Sequence, residues 1–157
     1  MELSQGAAPT LTRCKIQGSK VAGVVAVGRG GGTLEECEIA DNRGPGLAVT
    51  GLSSVTLKGC TLRDNDLAGA VFWGDGKGVL ENCEISGNGM SGLAVFDGGE
   101  PTLKDCRLTA NADHGVWADG GGGTLQKCDL TGNREGPLDV AAGCDLRVEN
   151  CVLGPSK

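Results

Sequence analysis

The 157-residue sequence predicts an all-β fold, a single-stranded parallel β-helix of about six to seven coils, each near 23 residues and carrying three short strands. Three observations predict it. Cys14, Cys37, Cys60, Cys83 and Cys106 stand 23 residues apart, Cys128 follows after 22 and Cys151 after 23, leaving only Cys144 off the lattice. Apolar residues keep fixed offsets from those cysteines and alternate with others in short segments, with no helix-length amphipathic stretch. The composition holds 29 glycines and only 4 aromatic residues, two Trp and two Phe, so a core of bulky rings is excluded. Hydrophobic residues at 39% still exclude compositional disorder. A propeller blade needs repeats of about 40 residues or more. The leucines of a leucine-rich repeat are absent, which leaves a coil in which each residue stacks on its counterpart one turn away.

The first strand of each coil precedes the cysteine and places Leu11, Leu34, Leu57, Leu80, Leu103, Leu125 and Val148 inward, three positions before it. The second follows the cysteine and turns Ile16, Ile39, Leu62, Ile85, Leu108, Leu130 and Leu153 inward. The third places Val24/Ala26, Leu47/Val49, Ala70/Phe72, Leu93/Val95, Val116/Ala118 and Leu138/Val140 inward, ten and twelve positions after it. Between the second and third strands stand Asn42, Asn65, Asn88, Asn111 and Asn133, with Ser19 and Ser156 at the two ends. An inward asparagine at a corner can hydrogen-bond its copies above and below, and it tolerates left-handed dihedrals. Gly23, Gly46, Gly69, Gly92 and Gly115, then Pro137, mark a corner expected to need unusual dihedrals or a fixed turn. Glycine-rich stretches at 28–32, 74–78 and 120–123 form the last corner; none has the lysine and hydroxyl of a nucleotide loop.

These residues carry a resemblance. The recurring pattern Thr-Leu-x-x-Cys-x-Leu/Ile-x-x-Asn followed by Gly-hydrophobic-x-hydrophobic, seen in Leu80-Glu81-Asn82-Cys83-Glu84-Ile85-Ser86-Gly87-Asn88, resembles the right-handed parallel β-helix repeat proteins of the pectin-lyase-like superfamily. It spans Pro9 to Leu153 and implies a right-handed coil. That group includes polysaccharide lyases, hydrolases and epimerases, and non-catalytic repeat regions that serve in recognition. Its lyases and epimerases depend on clustered acidic residues, often with calcium, beside a basic residue. None of those motifs is matched residue by residue, so no catalytic residue, metal or cofactor is expected. The domain plan is a lead-in at 1–8, the β-helix at 9–153 and a tail at 154–157. No capping helix is visible, so the chain is read either as a piece of a longer protein or as one that stacks end to end.

The cysteine column reads as small buried hydrophobes with weak S–H donors, since parallel vectors in one file are poorly oriented for disulfides and cannot wrap a metal tetrahedrally. Reduced thiols imply the cytoplasm, and Cys144 is the thiol expected to be most exposed. The outward file Glu35, Lys58, Glu81 and Lys104 alternates in charge and avoids like-charge stacking. Thr10, Thr33, Thr56, Thr102 and Thr124 form a file broken by Val79, which argues against an ice-binding array. A net charge of −6 without basic clusters argues against nucleic acid, and no apolar run is long enough to span a bilayer.

The third strand is different. Eleven and thirteen positions after the cysteine lie Val25/Val27, Ala48/Thr50, Val71/Trp73, Ala94/Phe96, Trp117/Asp119 and Asp139/Ala141, all expected to face out. Three of the four aromatics therefore gather on one face, and only Phe72 is expected inside. Trp73, Phe96 and Trp117, flanked by Val71 and Val25 and rimmed by Asp75, Asp97 and Asp119, form the candidate binding surface. His114, the single histidine, sits before the glycine corner beside Asp113 and is carried as a rim residue. The leading expectation is a non-catalytic recognition or scaffold module that binds a protein or itself through this face. The alternative is a carbohydrate-binding or polysaccharide-processing domain, because indoles stack on sugar faces.

Overall fold

The computed structural model describes residues 1–154. Its chain winds as a right-handed solenoid of three parallel sheets. The first sheet joins Thr10–Thr12, Gly31–Glu35, Ser54–Lys58, Lys77–Glu81, Glu100–Lys104, Gly122–Gln126 and Asp145–Glu149. The second joins Lys15–Gln17, Glu38–Ala40, Thr61–Arg63, Glu84–Ser86 and Arg107–Thr109, and single bridges carry it on from Arg107 through Asp129 to Val152. The third joins Val24–Ala26, Leu47–Val49, Ala70–Phe72, Leu93–Phe96, His114–Asp119 and Gly136–Val140. The residues expected as a lead-in add Glu2–Leu3 to that third sheet, with Leu3 paired to Ala26 and buried.

Register follows the lattice. Leu34 pairs with Leu57, Leu57 with Leu80 and Leu80 with Leu103, so like stacks on like down the axis. A one-residue slip would turn every leucine outward, and this fixes the register strongly. Leu34, Ile39, Leu47, Leu57, Leu62, Leu80, Ile85, Leu93, Leu103, Leu108 and Leu125 are fully buried as expected. Phe72, the one internal aromatic, fits because Gly78 faces it: a Cβ there would lie 3.0 Å from Phe72 Cε2. Core burial is less complete at both ends of the described coil, where Leu11, Cys14, Ile16, Leu138, Leu146, Val148 and Leu153 are only partly covered.

The asparagine ladder is continuous. Nδ2 of Asn42, Asn65, Asn88 and Asn111 donates to Oδ1 of the next asparagine at 2.9 to 3.0 Å. The same Oδ1 atoms also accept the backbone N–H of the preceding rung, and each Nδ2 reaches a carbonyl one coil back, as Asn88 does at Leu62. Ser19 closes one end by donating its backbone N–H to Asn42 Oδ1 at 3.0 Å. Ser156, expected at the other end, lies outside the described residues.

Two corner expectations need correction. The left-handed residue is the one before each asparagine: Asp41, Asp64 and Ala110 have φ near +55°, at 57°, 53° and 57°, while the ladder residues keep ordinary dihedrals. Gly46, Gly69, Gly92 and Gly115 likewise have no positive φ, and their role is close approach. A Cβ on Gly92 would stand 2.8 Å from Asn111 Nδ2 and 2.9 Å from Gly115 O. Pro137 is not a corner either; it lies inside the strand Gly136–Val140.

All eight cysteines are free thiols. Cys37, Cys60, Cys83, Cys106 and Cys128 are buried, and each Sγ points to a first-strand carbonyl one coil back, as Cys60 does to Leu34 O at 3.3 Å. Cys144 is half-buried, as are Cys14 and Cys151, and its sulfur accepts the Gly120 N–H. Ion pairs gather on the second sheet, where Arg63 joins Glu38 and Asp64, and where Lys15–Glu38 and Arg107–Asp129 stand at 4.0 Å. All are at least partly exposed and contribute little individually.

Candidate functional site

The aromatic face forms because three consecutive coils put large residues where their neighbours put small ones. Val25, Ala48, Val71, Ala94, Trp117 and Asp139 stack in register as one outward file of the third sheet. In the adjacent file Trp73 and Phe96 stack with ring centroids 5.9 Å apart and planes 14° apart. Phe96 meets Trp117 at 6.2 Å and 61°, so Trp117 is tilted out of the stack. The three rings face outward but are half-buried, because each shields the next. Such pairs add about 0.5–1.5 kcal/mol beyond their burial.

Beside this ridge runs a groove of about 280 Å³. Ala94 opens it: between Val71 and Trp117 in the file, its small side chain leaves a hollow. Phe96 and Trp117 form one wall and Val71, Ala68 and Ser91 contribute to the floor. The other wall comes from the corner after the asparagine ladder, where Pro45, Leu67 and Met90 project. Leu67 is 43% and Met90 48% exposed, high for large apolar side chains. The volume falls just under the range of about 300–1,000 Å³ usual for ligand clefts, so it suits one ring or one side chain at a time.

Asp113 brings the charge to the groove lining. Its backbone N–H reaches Met90 O at 3.4 Å, tying the two corners together. Its Oδ2 accepts from the buried Ser91 hydroxyl at 3.3 Å, and Oδ1 lies 2.8 Å from His114 Nδ1. That approach is close but off the line a hydrogen bond needs.

The structure brings together part of the expected set. Val71, Phe96 and Trp117 line the groove, whereas Trp73 buttresses Phe96 from outside it. Val25 lies beyond Ala48 in the same file and does not reach the groove. Asp119 pairs in register with Phe96 on the far side of the ridge. Asp75 and Asp97 are left-handed turn residues at the glycine-rich corner, φ 63° and 47°. His114 begins a third strand opposite Gly136 and touches the groove only through Asp113. Pro45, Leu67, Met90, Ser91 and Asp113 were missed, although Leu67 and Met90 share an offset of seven from their cysteines where Val21 also stands exposed. Among the described residues no group of three or more His, Cys, Asp or Glu side chains is placed to hold a metal, and the acidic residues are strung along the axis.

Residues 2–153 match the family described as the right handed beta helix region. The chain belongs to that family. Among solved structures this β-helix region is similar to the periplasmic alginate epimerase AlgG, with a TM-score of 0.80 and 14% identity over 97% of this chain and 43% of that one. It is also similar to the A-module of the Azotobacter vinelandii mannuronan C-5 epimerase AlgE6, with a TM-score of 0.63 and 13% identity over 99% of this chain and 57% of that one. At such identity the likeness establishes the β-helix fold. The chain spans about half the length of these neighbours. No curated protein sequence matches it.

Proposed function

We propose that this β-helix region is a carbohydrate-binding module that seats a sugar ring in the groove beside Trp117. The observation that carries the reading is the lining: two aromatic rings and small apolar residues on one side, with the Asp113 carboxylate and Ser91 hydroxyl within the same hollow. Sugars present just such a pair of surfaces, an apolar C–H face that packs on an indole and a periphery of hydroxyls that donate to carboxylates. Trp117, tilted 61° from Phe96, is the ring not stacked face to face. The polysaccharide-directed neighbours support this reading over a scaffold role. On a glycan array the wild-type protein is expected to select a subset of glycans, and Trp117→Ala to lose at least about tenfold in affinity with its β-sheet circular dichroism unchanged. An array with no selective signal would sink the reading.

A second reading rests on a separate observation. Leu67 and Met90 present exposed apolar surface on the groove lip, which a sugar covers poorly and a protein side chain covers well. A partner protein docking there would make Leu67→Ser and Met90→Ser costly to association, whereas glycan binding would tolerate both.

A further inference from the structure

Resting on the carbohydrate reading, we infer that the groove selects sugars bearing a free amine over neutral sugars and over uronates. The argument is one of charge. Asp113 is the charged side chain that lines the groove, and it lies among Leu67, Met90, Ala94, Phe96 and Trp117 with its side chain 37% exposed. Ser91 gives one hydroxyl to Oδ2, and His114 Nδ1 lies near Oδ1 without the alignment of a hydrogen bond.

Beyond the groove the chain is negative as well. Asp97 follows Phe96 directly in the chain, Asp119 stands opposite Phe96 in register, and the whole chain carries −6. A sugar ring packed on Trp117 with an ammonium substituent would place that cation against the Asp113 carboxylate and beside two aromatic rings. Cation–π attraction and a charge-assisted hydrogen bond would then act on one group. A uronate would bring a second carboxylate to the same place and be repelled. The preferred ligand is therefore a glucosamine-type oligosaccharide, the opposite charge class from alginate, on which the structural neighbours act by name.

The test compares three hexasaccharides by titration calorimetry, below the pKa of the sugar amine: the free-amine glucosamine oligomer, its N-acetylated form and a mannuronate oligomer. The wild-type protein is expected to bind the amine form roughly tenfold tighter than the acetylated form and to give no saturable signal with mannuronate. Asp113→Asn should bring the first two affinities together. Trp117→Ala, which leaves the net charge unchanged, should lose the amine form; if it binds that oligomer as the wild type does, the attraction is only to overall charge and the inference is overturned. Equal or tighter binding of the acetylated or mannuronate oligomer, or a full amine preference in Asp113→Asn, overturns it as well. Binding of the acetylated oligomer alone would overturn this selectivity and leave the carbohydrate reading standing, while binding of none would remove both.

Discussion

At the residue scale the fold depends on a few side chains that satisfy backbone groups no strand can reach. The Asn88 side chain makes four bonds, two of them to backbone: it accepts from the Asn65 backbone and amide, and donates to Leu62 O and to Asn111 Oδ1. Each buried group left unpaired costs about 1–3 kcal/mol, so Asn88→Ala is expected to cost roughly 3–5 kcal/mol in urea unfolding, a large share of a stability of about 5–15 kcal/mol. A loss below about 1 kcal/mol would mean the ladder is decorative. The ladder was legible in the sequence because asparagine recurs at one offset from cysteine. The reason for the following glycines was not. A glycine needed for left-handed dihedrals and a glycine needed for space look the same in sequence, and only the 2.8 Å approach of Asn111 Nδ2 to a Cβ on Gly92 tells them apart. The left-handed residue at that corner is Asp41, Asp64, Gly87, Ala110 or Gly132, for which composition gives no single signature.

At the scale of one element, the thiol file is a buried column along the turn between the first and second strands. Burial pushes the Cys37 thiol up, and S–H contacts with Cys106 and Cys60, then burial, push Cys83 up. The folded chain therefore keeps the Cys37 proton at pH values where the unfolded chain releases it. Stability is unaffected below the ordinary thiol pKa, near 9.0, and falls as pH rises above it. One thiol contributes a slope of at most about 1.4 kcal/mol per pH unit. Melting temperature measured from neutral pH upward is expected to drop more steeply above pH 9 in the wild type than in Cys37→Ser; identical curves would remove this account. The aromatic element was read well in part. Trp73, Phe96 and Trp117 were placed on one face by counting, and the face exists. The groove beside it was invisible because its second wall, Pro45, Leu67 and Met90, belongs to a corner whose projection depends on how the chain turns after the ladder.

At the scale of the molecule, each coil touches mainly the coils before and after it, so stability is close to a sum of coil and interface contributions. Deleting residues 38–60 joins Cys37 to Thr61, which already pairs with Glu38 in register, and sets Ser19 against Asn65 as the ladder's new end. The shortened chain is expected to keep its β-sheet circular dichroism while unfolding at lower urea. Loss of the fold would show that the lattice is not the unit of construction. The same one-dimensional plan explains why the candidate site sits where it does. Stacking sets each residue on its counterpart one coil away, and over three coils of the third sheet that places Trp117, Phe96 and Asp113 around a hollow that Ala94 leaves open.

The central claim is that this hollow holds a sugar against Trp117. Trp73→Phe leaves Trp117 as the single tryptophan, since the chain has two. Titrating that variant with a glucosamine hexasaccharide while following indole fluorescence should give a saturable shift that vanishes when Ala94→Leu fills the groove. An unchanged indole signal across the titration, or the same shift with the groove filled, would contradict the account.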